Sequence, residues 1–295
     1  MSETSLNDTA EDRHGDQRWT VHPALRRYGE ALTTPKGIIA VAIIILLTGG
    51  ALLAPVLFPG GYDQQSRDSL LGVSLAHPFG TDELGRDIMV RSIYGLRTDL
   101  SLVYTAVPLS MVIGTLLGLL GVISARLGTF VQRGLDVIAG FPGLILGISV
   151  VIIFSAGWQA LVIAITILGL PAFGRLARAT MLSQMQREYV TAARTLGATK
   201  WQIMVRHVLP NAVEPIIVQG AMFVVAAVFI EAALSIVGLG LQPPEPSLGT
   251  LLNVGMRYIS RAPTYVIGPT AILILLALGF SLLADALNAA VNRSE

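Results

Sequence analysis

Long apolar stretches alternate with polar segments along this chain of 295 residues. A helix needs about 20 largely apolar residues to cross the hydrocarbon core of a bilayer. Six stretches approach or exceed that length: Gly37–Phe58, Leu100–Ser124, Val137–Phe154, Trp158–Phe173, Ile216–Leu241 and Val266–Leu283. Membrane helices tolerate the proline and glycine residues that interrupt several of them. The pattern therefore predicts an all-α membrane protein with about six transmembrane helices.

The polar segments divide the chain into regions. Residues 1–35 are mostly polar and show no periodicity, which predicts a largely disordered tail. The first apolar stretch begins too far into the chain and is too long for a typical cleaved signal peptide, so a retained anchor is expected. The predicted regions are the tail at 1–35, a first transmembrane helix at 36–58, an extracytoplasmic segment at 59–97 and a membrane core at 98–293.

The distribution of basic residues predicts the orientation in the membrane. With a cytoplasmic N-terminus, fourteen of the twenty Lys and Arg residues lie in cytoplasmic segments and six in external ones. An excess of Lys and Arg in short cytoplasmic loops is the usual pattern. Both termini are therefore expected in the cytoplasm.

Composition excludes several classes of function. Charged residues make up only 13% of the chain, against about a quarter in typical soluble domains. The net charge is +1, and no Lys/Arg tract suggests nucleic-acid binding. Cysteine is absent, which excludes disulfides and thiolate metal sites. The sequence also lacks the G-x-x-x-x-G-K-[ST] pattern of a nucleotide-binding P-loop.

A patterned polar loop, predicted to be cytoplasmic, lies at 175–211. Good helix formers fill Ala177–Leu196, and Gly197 follows at the position where a left-handed helix cap is usual. Thr199 and Gln202 have the spacing of a capping box, which starts a second helix. Pro210 is expected to end that helix.

The second helix has an apolar stripe at i, i+3, i+4 and i+7, formed by Trp201, Met204, Val205 and Val208. A helix of about ten residues is too short to be stable alone in water, so the stripe must pack on something. The residues leave two interpretations open. The stripe packs on its own membrane domain or the lipid interface, or it docks a partner protein.

The same loop carries a family resemblance. Glu188–Ala198, followed by Ile203, Arg206-His207 and Leu209–Asn211, resembles the EAA loop of binding-protein-dependent ABC importer permeases. In that family the loop forms a coupling helix that sits in a cleft of the ATPase subunit. The resemblance, with the apolar stripe, assigns ATPase coupling to Glu188, Ala192, Ala193, Gly197, Trp201, Arg206, His207 and Pro210.

A second motif precedes the second apolar stretch. His77–Asp87 resembles the H-P-x-G-T-D-x-x-G-R-D segment of the dipeptide, oligopeptide and nickel permeases, in the "C" subunit of each pair. Its motif residues are His77, Gly80, Thr81, Asp82, Gly85, Arg86 and Asp87. Asp87 is predicted to cap a helix over Ile88–Leu96. The acidic residues and His77 suggest a metal site, but Asp and Thr beside Gly are more typical of turns and caps. We expect no metal here.

Further segments extend the resemblance over about residues 36–293. They are Phe141-Pro142, Gly238–Pro244, Pro246–Gly249 and Asp285–Leu287. Leu248 stands where the family commonly has tryptophan, and Val291-Asn292-Arg293 replaces the usual D-P-R. These departures lie outside the coupling loop and leave the fine substrate class open.

Acidic residues within or beside the spans are functional candidates by default. Glu231 lies well inside the fifth stretch, Asp136 opens the third and Asp285 closes the sixth. Asp136 and Asp285 lie near the cytoplasmic headgroups and can pair with Arg126, Arg133 or Arg293. For Glu231 three roles stay open: a hydrogen bond at a subunit interface, a place in the translocation pathway, or proton coupling.

The resemblance implies a permease subunit of an ATP-driven importer in the bacterial inner membrane, with di- or oligopeptides as cargo. The implied partners are a homologous B-type permease, two P-loop ATPases and an extracytoplasmic binding protein. The chain would be no enzyme and bind no cofactor, with ATP and Mg on the ATPase subunits. A nickel or metal-chelate permease is one alternative. An ion-coupled secondary transporter is another, but it predicts repeats and paired midplane acids, and the sequence suggests one such acid.

Overall fold

The computed structural model describes residues 23–292, and the described elements are helical. In chain order they are α1 (Pro23–Leu32), α2 (Pro35–Leu57), α3 (Ile88–Ile123), α4 (Ala125–Gly140), α5 (Gly143–Phe154), α6 (Trp158–Gln184), α7 (Glu188–Thr195), α8 (Lys200–Ile203), α9 (Leu209–Ile236), α10 (Leu248–Gly255) and α11 (Thr264–Asn292). A π-helical turn at Met204–Val208 joins α8 to α9, and a 3₁₀ turn at Met256–Tyr258 follows α10.

The predicted number of spans is confirmed. Five continuous helical segments are long and apolar enough to cross a membrane, and α4 with α5 makes a sixth, broken one. The prediction of a disordered tail at 1–35 is wrong at its end, because α1 occupies Pro23–Leu32. The rest of that tail lies outside the described residues.

The third span is broken, whereas the sequence predicted one helix over Val137–Phe154. Helices α4 and α5 meet at Phe141-Pro142 and are bent by 99°. Proline disfavours the helical conformation in the residue before it, and Phe141 is extended, with φ −80° and ψ 141°. The dipeptide noticed as a family marker is thus the physical cause of the bend.

The second span is longer than predicted. The expected helix at Ile88–Leu96 and the expected span from Leu100 form one continuous helix, α3. The last residues of the extracytoplasmic segment predicted at 59–97 therefore form the first turns of α3. Asp87 caps this helix by accepting a hydrogen bond from Val90 N at 2.9 Å. The polar run Arg97-Thr98-Asp99 lies within this helix, and Asp99 is buried inside the protein.

The centre of the fold is the contact between α3 and α6, where glycines permit close approach of the two backbones. A Cβ atom at Gly118 would lie 2.8 Å from Gly174 O, and one at Gly114 would lie 2.6 Å from Phe173 Cβ. Small residues at such interfaces favour association in lipid, where helices gain little from the hydrophobic effect. These glycines therefore set the distance between the two helices.

The remaining spans pack around this pair. Phe223 of α9 meets Phe173 of α6 edge to face, with ring centroids 5.4 Å apart. Phe280 of α11 makes a similar contact with Tyr104 of α3 at 6.2 Å. Helix α11 also packs against α2 and α9. This arrangement leaves the α7–α8 segment at one end of the bundle and the His77–Asp87 motif at the other.

Candidate functional site

The first candidate surface is the turn between α7 and α8. Helix α7 ends in a Schellman motif: Ala198 N donates to Ala193 O at 3.1 Å, and Gly197 N donates to Arg194 O at 3.0 Å. Gly197 has φ +82°, a conformation that L side chains rarely adopt. The predicted interruption at Gly197 is therefore confirmed, and its cause is the backbone conformation.

Helix α8 begins with the predicted capping box. Gln202 N donates to Thr199 Oγ1 at 3.2 Å, and Thr199 N donates to Gln202 Oε1 at 2.9 Å. The prediction that this helix ends at Pro210 is wrong. The π-helical turn lets Leu209 N bond to Met204 O, and Pro210 then lies at the start of α9, where its missing N–H is tolerated.

The predicted stripe divides into a buried and an exposed part. Met204 and Val208 pack into the protein core, whereas Trp201 is 59% exposed and Val205 is also exposed. Leu196, which the stripe did not include, is 87% exposed. Leu196, Trp201 and Val205 together form what we call the apolar loop surface. The sequence pattern did not include Leu196 in this surface because Leu196 lies at the end of α7 and not in the stripe of α8. Its position directly before Gly197 nevertheless indicates that it lies outside the regular helix.

The other predicted coupling residues have two different environments. Glu188, Ala192, Arg206, His207 and Pro210 are exposed. Ala193 instead packs against the protein core. Its small side chain therefore serves the contact of α7 with its own subunit.

Tyr189 fastens α7 to the end of α6. Its hydroxyl donates to Gln184 Oε1 at 2.8 Å, and its ring lies 6.5 Å from that of His207. Burial raises the pKa of Tyr189, so the phenol stays protonated and remains a donor at neutral pH.

The second candidate surface is the His77–Asp87 motif. Asp87 caps α3 with one carboxylate oxygen, while the other lies 2.7 Å from His77 Nδ1. Gly80 and Gly85 have φ values of +80° and +71°. A Cβ atom on either would clash with a backbone oxygen, Leu71 O or Ser66 O. The motif glycines therefore let residues 66–72 pack closely against the turn.

Asp82 is the buried centre of this motif. Its Oδ1 accepts from Leu84 N and Arg86 N at 2.9 Å, and its Oδ2 accepts from Arg86 Nε at 2.7 Å. Arg86 also donates to Asp63 at 2.9 Å and to Glu83 at 3.4 Å. Burial lowers the pKa of Arg86, but its bonds to Asp63 and Asp82 outweigh that effect and raise it above its ordinary value.

The acidic residues that suggested a metal site thus have other partners. Asp82 and Glu83 bind Arg86, and Asp87 binds His77 and the helix end. Glu83 also accepts from Tyr265 Oη at 3.1 Å, which links the motif to α11. Turn and cap roles account for these side chains. A polar pocket of about 580 Å³ opens beside His77 and Asp87.

The acids in and beside the spans differ from their predicted environments. Asp136 lies 3.8 Å from Arg175, a partner that the sequence reading did not propose. Glu231 is 1% exposed within the chain itself, so its carboxyl lies inside this subunit and not at an interface with another. The structure also adds a second buried acid, Asp99, 1% exposed. Asp99 shares the face of Leu96, Leu100 and Val103, a periodicity that predicts its burial.

A bundle of six spans with a polar turn at each end defines a polytopic membrane protein of the transport type. Residues 102–294 match the family model described as binding-protein-dependent transport system inner membrane component. The chain belongs to this family and is a multi-pass protein of the inner membrane.

Named relatives cover most of the chain. It is 34% identical to the dipeptide transport system permease protein DppC of Alkalihalophilus pseudofirmus, over 94% of this chain and 92% of the relative. It is 37% identical to the di/tripeptide transport system permease protein DppC of Pseudomonas aeruginosa, over 92% of this chain and 93% of the relative. It is 39% identical to the glutathione transport system permease protein GsiD of Pectobacterium atrosepticum, over 84% of each chain.

Solved structures share the fold. An inward-facing MetNI methionine ABC transporter matches with a TM-score of 0.58 at 22% identity, over 69% of this chain and 97% of that chain. An amino acid ABC transporter matches with a TM-score of 0.55 at 22% identity, over 66% of this chain and 91% of that chain. The fold is therefore that of a type I ABC importer permease.

The conformation of Gly197 makes a prediction about substitution. No atom of residues 23–292 lies within 4 Å of a Cβ placed there, so the backbone conformation, and not the size of the side chain, limits which residue can replace Gly197. Gly197→Val should destabilise the turn by about 1–2 kcal/mol, whereas Gly197→Asn should cost less because Asn tolerates this conformation. Hydrogen exchange of residues 198–203 measures the effect. Equal exchange rates in the two variants would contradict it.

A second prediction concerns Asp82. Asp82→Ala leaves two backbone N–H groups and part of a buried guanidinium without an acceptor, which should cost about 3 kcal/mol. Asp68→Ala, on the exposed side of the same segment, should change stability by less than about 0.5 kcal/mol. Thermal unfolding of the purified chain in detergent compares them. Similar melting temperatures for the two variants would show that the Asp82 network is not a stabilising feature.

Proposed function

We propose that this chain is a "C"-type permease subunit of an ATP-driven importer of di- or oligopeptides. The feature that supports an ATP-driven system most directly is the apolar loop surface, which exposes Leu196 and Trp201 on a rigid turn. Exposed apolar groups rimmed by polar ones are typical of protein interfaces. The rim consists of Glu188, Arg206 and His207, which are all exposed.

The occupant of that surface is an ATPase subunit. The chain has no P-loop pattern of its own, so nucleotide and Mg belong to the partner. The complete transporter contains this chain, a homologous B-type permease and two ATPases. Closure of the ATPases on nucleotide moves the turn at Gly197, and the spans follow.

The opposite end receives a substrate-binding protein. The external segment Tyr62–Asp87 is held by the Arg86 network, and the loop Pro243–Leu248 lies before α10. Both are ordered by buried polar contacts, with Asp82 and Ser247 inaccessible to solvent. Peptide cargo is supported by the names of the relatives, which carry dipeptides, di/tripeptides or glutathione.

The coupling surface makes a prediction that a matched pair of leucines can test. Leu196→Asp places a charge in an apolar contact and should reduce co-purification of the ATPases at least tenfold, since burying an unpaired charge is costly. Leu75→Asp changes a fully exposed leucine in the external segment and should leave co-purification unchanged. Pull-down of the tagged chain from mild detergent, followed by identification of its partners, gives the result. Undiminished ATPase binding by the Leu196 variant would refute the coupling role.

Cargo is tested on the complete transporter in proteoliposomes. With its binding protein and ATP present, di- and tripeptides should be taken up, and uptake should stop when ATP is omitted. Nickel or a nickel chelate serves as the comparison substrate under the same conditions. Uptake of nickel without peptide uptake would overturn the proposed cargo while leaving the transporter class intact.

A further inference from the structure

Two carboxyl groups lie buried together beneath the N-terminus of α10. Asp99 of α3 uses Oδ2 to accept from Leu248 N at 3.0 Å, and Glu231 of α9 uses Oε1 to accept from Ser235 Oγ at 2.6 Å. The second oxygen of each carboxyl, Asp99 Oδ1 and Glu231 Oε2, is buried and has no hydrogen-bond partner among the described residues. The two groups also act on each other electrostatically.

No basic residue of residues 23–292 forms an ion pair with either acid. The titratable group that acts on Asp99 is the carboxyl of Glu231, and the side chains that act on Glu231 are the hydroxyls of Ser235 and Ser247. Most titratable groups on neighbouring helices contact other residues: Arg91 contacts Asp63 and Tyr62, Tyr104 contacts Thr48, Arg175 contacts Asp136, Arg178 contacts Gly128, and Tyr265 contacts Glu83. Lys36, Arg97 and Asp285 are exposed, and Glu214 lies near the far end of α9. Helices α5 and α10 carry no titratable residue.

Two carboxylate charges in such a place are energetically unfavourable. Burial of an unpaired charge is costly, and two like charges in one site increase the cost. A single proton resolves both problems, because a protonated carboxyl becomes a donor and the other carboxylate still accepts. If the two free oxygens share that proton, each gains a partner without any further residue.

The same groups join three helices. Asp99 binds the first residue of α10 from α3, while Ser235 of α9 lies 3.5 Å from Ser247 Oγ, the N-cap of α10. Close packing reinforces these bonds, since a Cβ at Gly95 would lie 3.0 Å from Ser247 C. The pair thus lies where the external loop returns into the bundle.

We propose that Asp99 and Glu231 form a proton-sharing carboxyl pair that fixes the N-terminus of α10 between α3 and α9. They are positioning residues: they hold the Pro243–Leu248 loop in place from below. The assignment of that loop to docking rests on the proposed function, but the proton site does not.

The bound proton has a direct spectroscopic test on the purified full-length chain. At neutral pH the infrared spectrum should contain the C=O stretch of a buried protonated carboxyl, lost in Asp99→Asn and in Glu231→Gln and kept in Asp285→Asn. In each variant the amide N–H₂ donates to the remaining carboxylate, so that carboxylate has a partner although no carboxyl is protonated. A spectrum without that band in the wild type would overturn the proposal.

The pH dependence of stability provides a second measurement. A carboxyl that is protonated when folded and ionised when unfolded releases a proton on unfolding. Stability should therefore fall as pH rises, by about tenfold in the folding equilibrium constant per pH unit. In the wild type and in Asp285→Asn, the melting temperature should fall as pH rises above the ordinary range of a carboxyl. In the two single amide variants it should depend less on pH. Parallel profiles for all four proteins, or a melting temperature that follows Na⁺ in place of pH, would overturn it.

The fixing of α10 is measured by hydrogen exchange of residues 247–251. Asp99→Asn keeps an acceptor for Leu248 N and should retain protection, whereas Asp99→Leu removes it and should exchange about tenfold faster. Equal protection in both variants would refute the positioning role. These readouts need neither ATPase nor cargo, so they stand or fall separately from the proposed function.

Discussion

Every backbone N–H and C=O that crosses the bilayer must find its hydrogen bond within the protein, because lipid offers none. This constraint accounts for the long continuous helices and for the places where helices stop. The break at Phe141-Pro142 interrupts the third span, and the π-helical turn at Met204–Val208 lies near the start of the fifth. Irregular backbone elsewhere is satisfied by side chains, as where Asp82 binds Leu84 N and Asp99 binds Leu248 N.

Features governed by local chemistry could be predicted from the sequence. The capping box at Thr199, the helix cap at Asp87 and the left-handed residue at Gly197 are each decided by a few neighbouring residues, and all three are present. The six spans followed from hydropathy alone. The family motifs also indicate both polar turns.

Features governed by tertiary contacts could not be predicted in the same way. Pro210 suggests a helix end locally, but the π-helical turn before it removes the conflict. The periodicity around Asp99 indicates a buried position, yet its partner Leu248 lies 149 residues away in the chain. The division of the stripe between Met204 and Trp201 likewise depends on how α8 is seated on the bundle. In each case the deciding atom belongs to a distant part of the sequence.

The helical continuity from Lys200 to Ile236 has a mechanical consequence. These 37 residues form a rod of about 55 Å at 1.5 Å per residue. The rod carries Trp201 at one end and Glu231 near the other, with no loop between them. A tilt of about 10° at the end near Trp201 displaces the opposite end by about 10 Å on this length. The helix from Lys200 to Ile236 therefore links the turn before Trp201 mechanically to the region beneath α10, and a small tilt at the turn produces a large displacement there.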